Sequence, residues 1–159
     1  MQHLVKESAC RVQAALNQYG LDLQVVEMQD STRTAQEAAD AVGCQVGQIA
    51  KSLIFKGKKS EEPLLIIASG SNRVNEKKFK ELIGEPLVRP DASYVLANTG
   101  YAIGGIPPIG HSQKLNCFID EDLFQYEKIW AAAGTPFALF QLTPDDLLKI
   151  TEGKVISVL

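Results

Sequence analysis

The sequence is short of the residues that most often carry chemistry. It has two histidines, three cysteines and one tryptophan in 159 residues. His3 and His111 form no HxxxH or HxH pair, so a zinc-type site has little to be built from. Cys10, Cys44 and Cys117 give an odd count without a CxxC pair, which argues against a disulfide framework and against a zinc knuckle. They read as small buried or half-buried fillers, with a catalytic cysteine as the lesser alternative. There is no GxSxG elbow and no Ser-His-acid triad that can be named. Apolar runs are too short to span a bilayer, and the opening Met1–Val12 stretch lacks the features of a secretory leader, so a cytoplasmic location is expected. Excess positive charge is missing too. The net charge is −3, whereas general nucleic-acid coats are basic. Lys56, Lys58 and Lys59, and likewise Lys77, Lys78 and Lys80, read as solvated faces.

What is present is an ordinary globular composition, 45% hydrophobic, of a length that suits a single domain over residues 1–159. Leu4 to Tyr19 reads as an amphipathic helix with Val5, Val12, Leu16 and Tyr19 on one face, stopped by Gly20. Gln24 to Met28 is a short strand. Thr34 and Glu37 form a capping box for a helix that ends at Gly43. Val46 to Ala50 reads as one further helical turn. Ser52–Phe55 and Leu64–Ala68 are strands of a hairpin whose charged tip runs from Lys56 to Glu62. The second is continuously apolar, so it is expected at the centre of a sheet. Asn75 caps a helix ending at Gly84, and Asp91 caps a shorter one ending near Asn98.

Further strands are expected at Tyr101–Ile103, Leu115–Ile119, Lys128–Ala133, Pro136–Leu142 and Val155–Val158. Asp120 to Phe124 is a turn or short helix. Thr143 and Pro144 start a helix that runs to about Ile150. Short strands with scattered helices predict an α+β fold around one mixed, curved sheet. The regular alternation and GxGxxG spacing of a dinucleotide-binding domain are both absent.

Two features invite chemistry. Gly104-Gly105-Ile106-Pro107-Pro108-Ile109-Gly110-His111 holds three glycines and two adjacent prolines, which no regular helix or strand accommodates. It is expected to be a stiff loop with exposed amides at Gly104, Gly105 and Ile106, able to hold an anion or a developing oxyanion. The plainer alternative is a rigid bend between two strands. His111 ends the loop, either bonding a ligand or bracing the loop itself. Lys51 starts a buried strand. It either snorkels at the strand end or serves a phosphate, a carboxyl or an ester.

Three segments occur in a telling order: Ile49-Ala50-Lys51-Ser52-Leu53-Ile54-Phe55, then Ala68-Ser69-Gly70-Ser71-Asn72-Arg73-Val74, then Gly104 to His111. Together they resemble the YbaK/ProX family of trans-acting aminoacyl-tRNA editing domains, free-standing relatives of the insertion domain of bacterial prolyl-tRNA synthetase. The resemblance runs from the Thr34 helix to the last strand. It implies a mixed, barrel-like sheet surrounded by helices. It also implies hydrolysis of the ester between a wrong amino acid and the terminal adenosine of tRNA, most often tRNA for proline, with no metal and no cofactor. Lys51 matches the family lysine that engages the 3′ end, and Gly104 and Gly105 match the loop whose backbone holds the aminoacyl ester. By the same resemblance Ser69, Gly70, Ile106, Pro107, Pro108, Gly110, His111 and Gly134 are expected to contact substrate. At Gly134-Thr135-Pro136 the chain lacks a histidine that synthetase insertion domains often carry nearby, which leaves the amino acid open among alanine, cysteine and serine. The expected partners are the acceptor end of a mischarged tRNA and an aminoacyl-tRNA synthetase, not a membrane. The alternative function is a non-catalytic module of the same fold that binds tRNA or a synthetase.

Overall fold

The apolar run Leu64–Ala68 feeds two separate cores. Successive residues of a strand point to opposite faces of the sheet. Leu65 and Ile67 enter a large core with Val12, Leu16, Phe140 and Leu147. Leu64, Ile66 and Ala68 enter a second core with Phe79, Phe118 and Val158. The strand is therefore covered on both sides, and its continuous hydrophobicity is the consequence.

The chain is described from a computed structural model that covers residues 2–159, with side chains from Glu7 onward. The strands are β1 (Val25–Glu27), β2 (Ile49–Gly57), β3 (Pro63–Ser69), β4 (Leu87–Val88), β5 (Asn116–Asp120), β6 (Ile129–Ala132), β7 (Ala138–Leu142) and β8 (Lys154–Ile156). They form one sheet in the order β1-β7-β6-β2-β3-β5-β8, with β4 added beside β2. The β2/β3 and β6/β7 pairs are antiparallel hairpins. The β2/β6, β3/β5 and β5/β8 pairs are parallel, so the sheet is mixed as expected. Around it lie α1 (Gln2–Asn17), α2 (Ala35–Val42), α3 (Glu76–Ile83), α4 (Ala92–Thr99) and α5 (Pro144–Thr151).

The helix starts follow local chemistry. Thr34 and Glu37 close the capping box on α2, and Thr143 and Asp146 do the same on α5. Asn75 and Asp91 cap α3 and α4 by accepting from the amides of Lys78 and Tyr94. Gly43, Gly84 and Gly100 end their helices in the left-handed conformation.

Five expectations need correction. Cys10 is exposed, turned away from the face of α1 that buries Val12 and Leu16, whereas Cys44 is half-buried and Cys117 buried. Tyr101–Ile103 is not a strand: the Tyr101 amide donates to the Thr99 hydroxyl at 3.0 Å instead of to a neighbouring strand. Tyr19 lies beyond the end of α1 and is exposed, whereas Val12 and Leu16 are fully buried. The helical turn stops at Gln48, and Ile49 and Ala50 already belong to β2, where they pair with Trp130 and Ala131. The last strand ends at Ile156 rather than Val158. The side chains of His3 and Val5 lie outside those described.

Candidate active site in a basic cleft

Strand β2 has a bare edge. Its residues 49–50 pair with β6 and its residues 56–57 with β4, but no strand pairs with that side between them among the described residues. Gly57 donates to Glu62 and Ile49 accepts from Gly70, so the odd-numbered residues of β2 bond towards β3. In an antiparallel ladder the alternate residues then turn their amides and carbonyls the other way. Those of Ser52 and Ile54 face the gap. The gap is the floor of a cleft of about 630 Å³, which residues 49–55 line without a break.

The cleft mouth is basic. Arg33, Lys51, Arg73 and Arg89 line it, and no aspartate or glutamate does. This concentration stands in a chain of net charge −3. Lys51 is half-buried on β2. Burial, then the charges of Arg73 and Arg89, push its ammonium below the ordinary lysine range, against an opposing pull from Asp120. No carboxylate forms a salt bridge with Lys51 among the described residues. Arg89 approaches Glu76 at 3.8 Å and lies over the Phe55 ring. The inner wall is apolar: Ala35, Ala38, Ile49 and Leu139 line the cleft and pack as one cluster.

The glycine-proline loop reaches this cleft by one end only. Gly104 and Ile106 line it, and neither amide makes a hydrogen bond within the described residues. Gly104 has φ +100°, and a Cβ there would lie 2.8 Å from Arg33 Cγ. Gly105 differs from the exposed donor expected of it. Its amide donates to the Ala102 carbonyl at 3.2 Å, and its carbonyl accepts from the Gly134 amide at 2.8 Å. A Cβ on Gly105 would lie 2.7 Å from three backbone atoms of Thr135, so glycine is required there by packing.

The remaining sequence candidates lie elsewhere. Pro108, Gly110 and His111 line a different cavity of about 470 Å³, beside Leu115 and Ile150. His111 Nε2 sits 2.7 Å from the Pro107 carbonyl, which can only accept, so Nε2 carries the proton. Burial pushes the His111 pKa down, and this bond opposes the shift. His111 braces the loop. Ser69 donates its hydroxyl to the Gly47 carbonyl at 2.7 Å and its amide to Asp120 at 2.9 Å. Gly70 has no room for a Cβ against the Val46 carbonyl and Ala35. These two and Gly134, whose amide holds Gly105, do not line the cleft.

Arg33 and Arg89 were not among the site residues expected from sequence, and Arg73 entered only as part of a motif. They are far apart in the chain, yet each precedes a helix cap: Arg33 before Thr34, Arg73 before Val74-Asn75, and Arg89 before Pro90-Asp91. An arginine within two residues of a cap was the available signal. The lysine groups that drew attention instead are absent from the cleft lining.

A profile of the aminoacyl-tRNA editing domain matches residues 29–150, a span that holds the cleft, Lys51 and the whole loop. The chain belongs to the aminoacyl-tRNA editing domain family. As an editing domain it is 29% identical over 144 residues to the uncharacterised protein YwhH of Bacillus subtilis, covering 91% of each. It is 28% identical over 126 residues to EbsC of Enterococcus faecalis, named as a candidate Cys-tRNA(Pro)/Cys-tRNA(Cys) deacylase, covering 79% of this chain and 76% of that one. A crystal structure described as a candidate trans-editing enzyme for prolyl-tRNA synthetase superposes with a TM-score of 0.89 at 49% identity, over 95% of this chain and 96% of that one. The α+β fold with a mixed sheet is thus the fold of trans-editing domains. No helix among the described residues is long and apolar enough to cross a membrane.

Proposed function

We propose that this editing domain acts as a free-standing deacylase, over residues 1–159 as one domain, on tRNA for proline charged with alanine, cysteine or serine. The observation that carries the reading is the charge of the cleft. Four cations and no carboxylate line the cleft of an otherwise acidic chain, which suits the phosphates at the 3′ end of an RNA rather than a whole duplex. The apolar wall behind them suits a small side chain.

The reaction is simple to balance. Water adds to the ester carbonyl, the bond to the ribose oxygen breaks, and that oxygen takes a proton, giving free amino acid and uncharged tRNA. The ester is already activated, so positioning and oxyanion stabilisation matter more than a strong nucleophile. The unbonded amides of Gly104 and Ile106 are the donors offered to the oxyanion. Lys51, desolvated and crowded by Arg73 and Arg89, gains most when a phosphate or the developing negative charge arrives. The ribose 2′-hydroxyl can orient the water, which fits a cleft without a histidine or carboxylate base.

A single-turnover deacylation panel tests this, with tRNA for proline charged with alanine, cysteine, serine and proline. The small wrong amino acids are expected to be released faster than proline, because exclusion by clash discriminates by size better than affinity does. Equal or faster release of proline would contradict editing. Binding of charged tRNA without release of any amino acid would favour a non-catalytic module, and the same protein could then be tested for a synthetase partner.

A further inference from the structure

Two buried side-chain oxygens lack a hydrogen-bond partner, Thr32 Oγ1 and Ser52 Oγ, and both residues line the cleft. Thr32 is the more deeply set, with 4% of its surface exposed. Three polar groups next to it in the chain are committed. Its amide donates to the Pro136 carbonyl at 2.6 Å. Ser31 Oγ accepts from the Arg33 amide at 3.2 Å, and Thr34 Oγ1 accepts from the Glu37 amide at 3.1 Å. The Thr32 hydroxyl has no partner among them. A buried hydroxyl without a partner costs stability that a valine of the same shape would not. Its presence at the wall of a cleft points to a bond made only with a ligand.

The surroundings decide which ligand atom it meets. Ala35, Ala38 and Leu139 make the neighbouring wall apolar. Arg33 and the positive end of α2 stand beside Thr32, so a protonated amine is disfavoured there while a neutral hydroxyl is not. We infer that Thr32 Oγ1 is a specificity-determining group that hydrogen-bonds a hydroxyl on the side chain of the misattached amino acid. The preferred substrate then carries serine, the smallest such residue, rather than alanine. This rests on the deacylase reading above. A site that offers a hydrogen bond rejects the analogue lacking the partner group more strongly than it rejects a missing methylene.

The test is single-turnover deacylation of tRNA for proline charged with serine or with alanine. The unmodified protein is expected to release serine about tenfold faster or more, the factor that one well-made hydrogen bond supplies. Thr32→Val is expected to bring the ratio close to one by slowing serine, with a melting temperature unchanged or raised. Thr32→Ser, which keeps the hydroxyl, is expected to keep the preference. Alanine released as fast as serine by the unmodified protein overturns the inference, whether or not the valine variant folds. So does a valine variant that slows both substrates equally, because Thr32 would then contact a part common to both. If the unmodified protein releases no amino acid from any charged tRNA, the deacylase reading fails first and takes this inference with it.

Discussion

The amide of Gly134 donates to the carbonyl of Gly105 at 2.8 Å. This bond ties the glycine-proline loop to the turn between β6 and β7. The same turn accepts the Thr32 amide at the Pro136 carbonyl, 2.6 Å away. Two walls of the cleft therefore hang from one turn. Gly105 and Gly134 contribute by holding that frame, and Gly104 is the loop glycine that meets the cleft.

Gly105→Ala is accordingly a stability variant. Its new Cβ would meet the backbone of Thr135, which cannot rotate aside as a side chain can. A loss of about 1–3 kcal/mol is expected, or several degrees in melting temperature. Turnover measured well below the transition should stay within a few-fold of normal, since the Gly105 amide is already bonded to Ala102. Thermal unfolding and single-turnover rates on the same preparation check this. A hundredfold loss of rate with unchanged melting would put the Gly105 amide in the mechanism instead.

Lys51→Met should behave in the opposite way. Burial and the charges of Arg73 and Arg89 disfavour the ammonium. Removing it should leave the melting temperature unchanged or raise it. Loss of one charged hydrogen bond to substrate, roughly 1.5–3 kcal/mol, should slow deacylation about ten- to a hundredfold or more. Full activity in the folded variant would remove Lys51 from the reaction.

Charged-tRNA binding should weaken steeply with salt if the cleft cations neutralise phosphates. Each phosphate contact on a single strand contributes about 0.7 to the slope of log affinity against log salt. Arg73→Ala and Arg89→Ala should each flatten the slope by about that amount. Titration of labelled tRNA at several salt concentrations reads it. A slope unchanged in both variants would take the 3′ end out of this cleft.

His111 sets a pH dependence of stability. Its folded pKa lies below the ordinary 6.5 because burial disfavours the charged ring. Between the folded and unfolded values the unfolded chain binds the extra proton. Stability is then fully present above about pH 6.5 and is lost as the pH falls towards the folded value. The melting temperature should drop over that range, and His111→Gln should flatten the drop. A variant with the same acid sensitivity as the unmodified protein would contradict this.

The parts legible in the sequence were those governed by neighbours in the chain. Thr34, Asn75, Asp91 and Thr143 start helices because a side-chain oxygen meets an amide two or three residues on, which needs no knowledge of the fold. The continuous apolar run of β3 announced its central place. Lys51 and Gly104 do share a cleft. What could not be read depended on strand order. Ser69 belongs to a clasp with Gly47 and Asp120 because β3 runs beside β5. Pro108 and His111 line another cavity, beside Leu115 and Ile150, which are distant in the chain. The gathering of Arg33, Arg73 and Arg89 requires three strand-to-helix connections to open at one side of the sheet, and nothing in their spacing says so.

The bare edge of β2 has a further meaning. Exposed strand edges invite other chains to dock, which is how many β-proteins clump. Here the opening is framed by β6 at Ala50 and by β4 at Lys56. Residues 51–55 between them extend about 17 Å at roughly 3.3 Å per residue. That is the length of an ordinary strand, long enough for a foreign one to pair. The guard is charge rather than length: Lys51 stands on the open edge with Arg33, Arg73 and Arg89 around it, and two copies brought edge to edge would set these cations against one another.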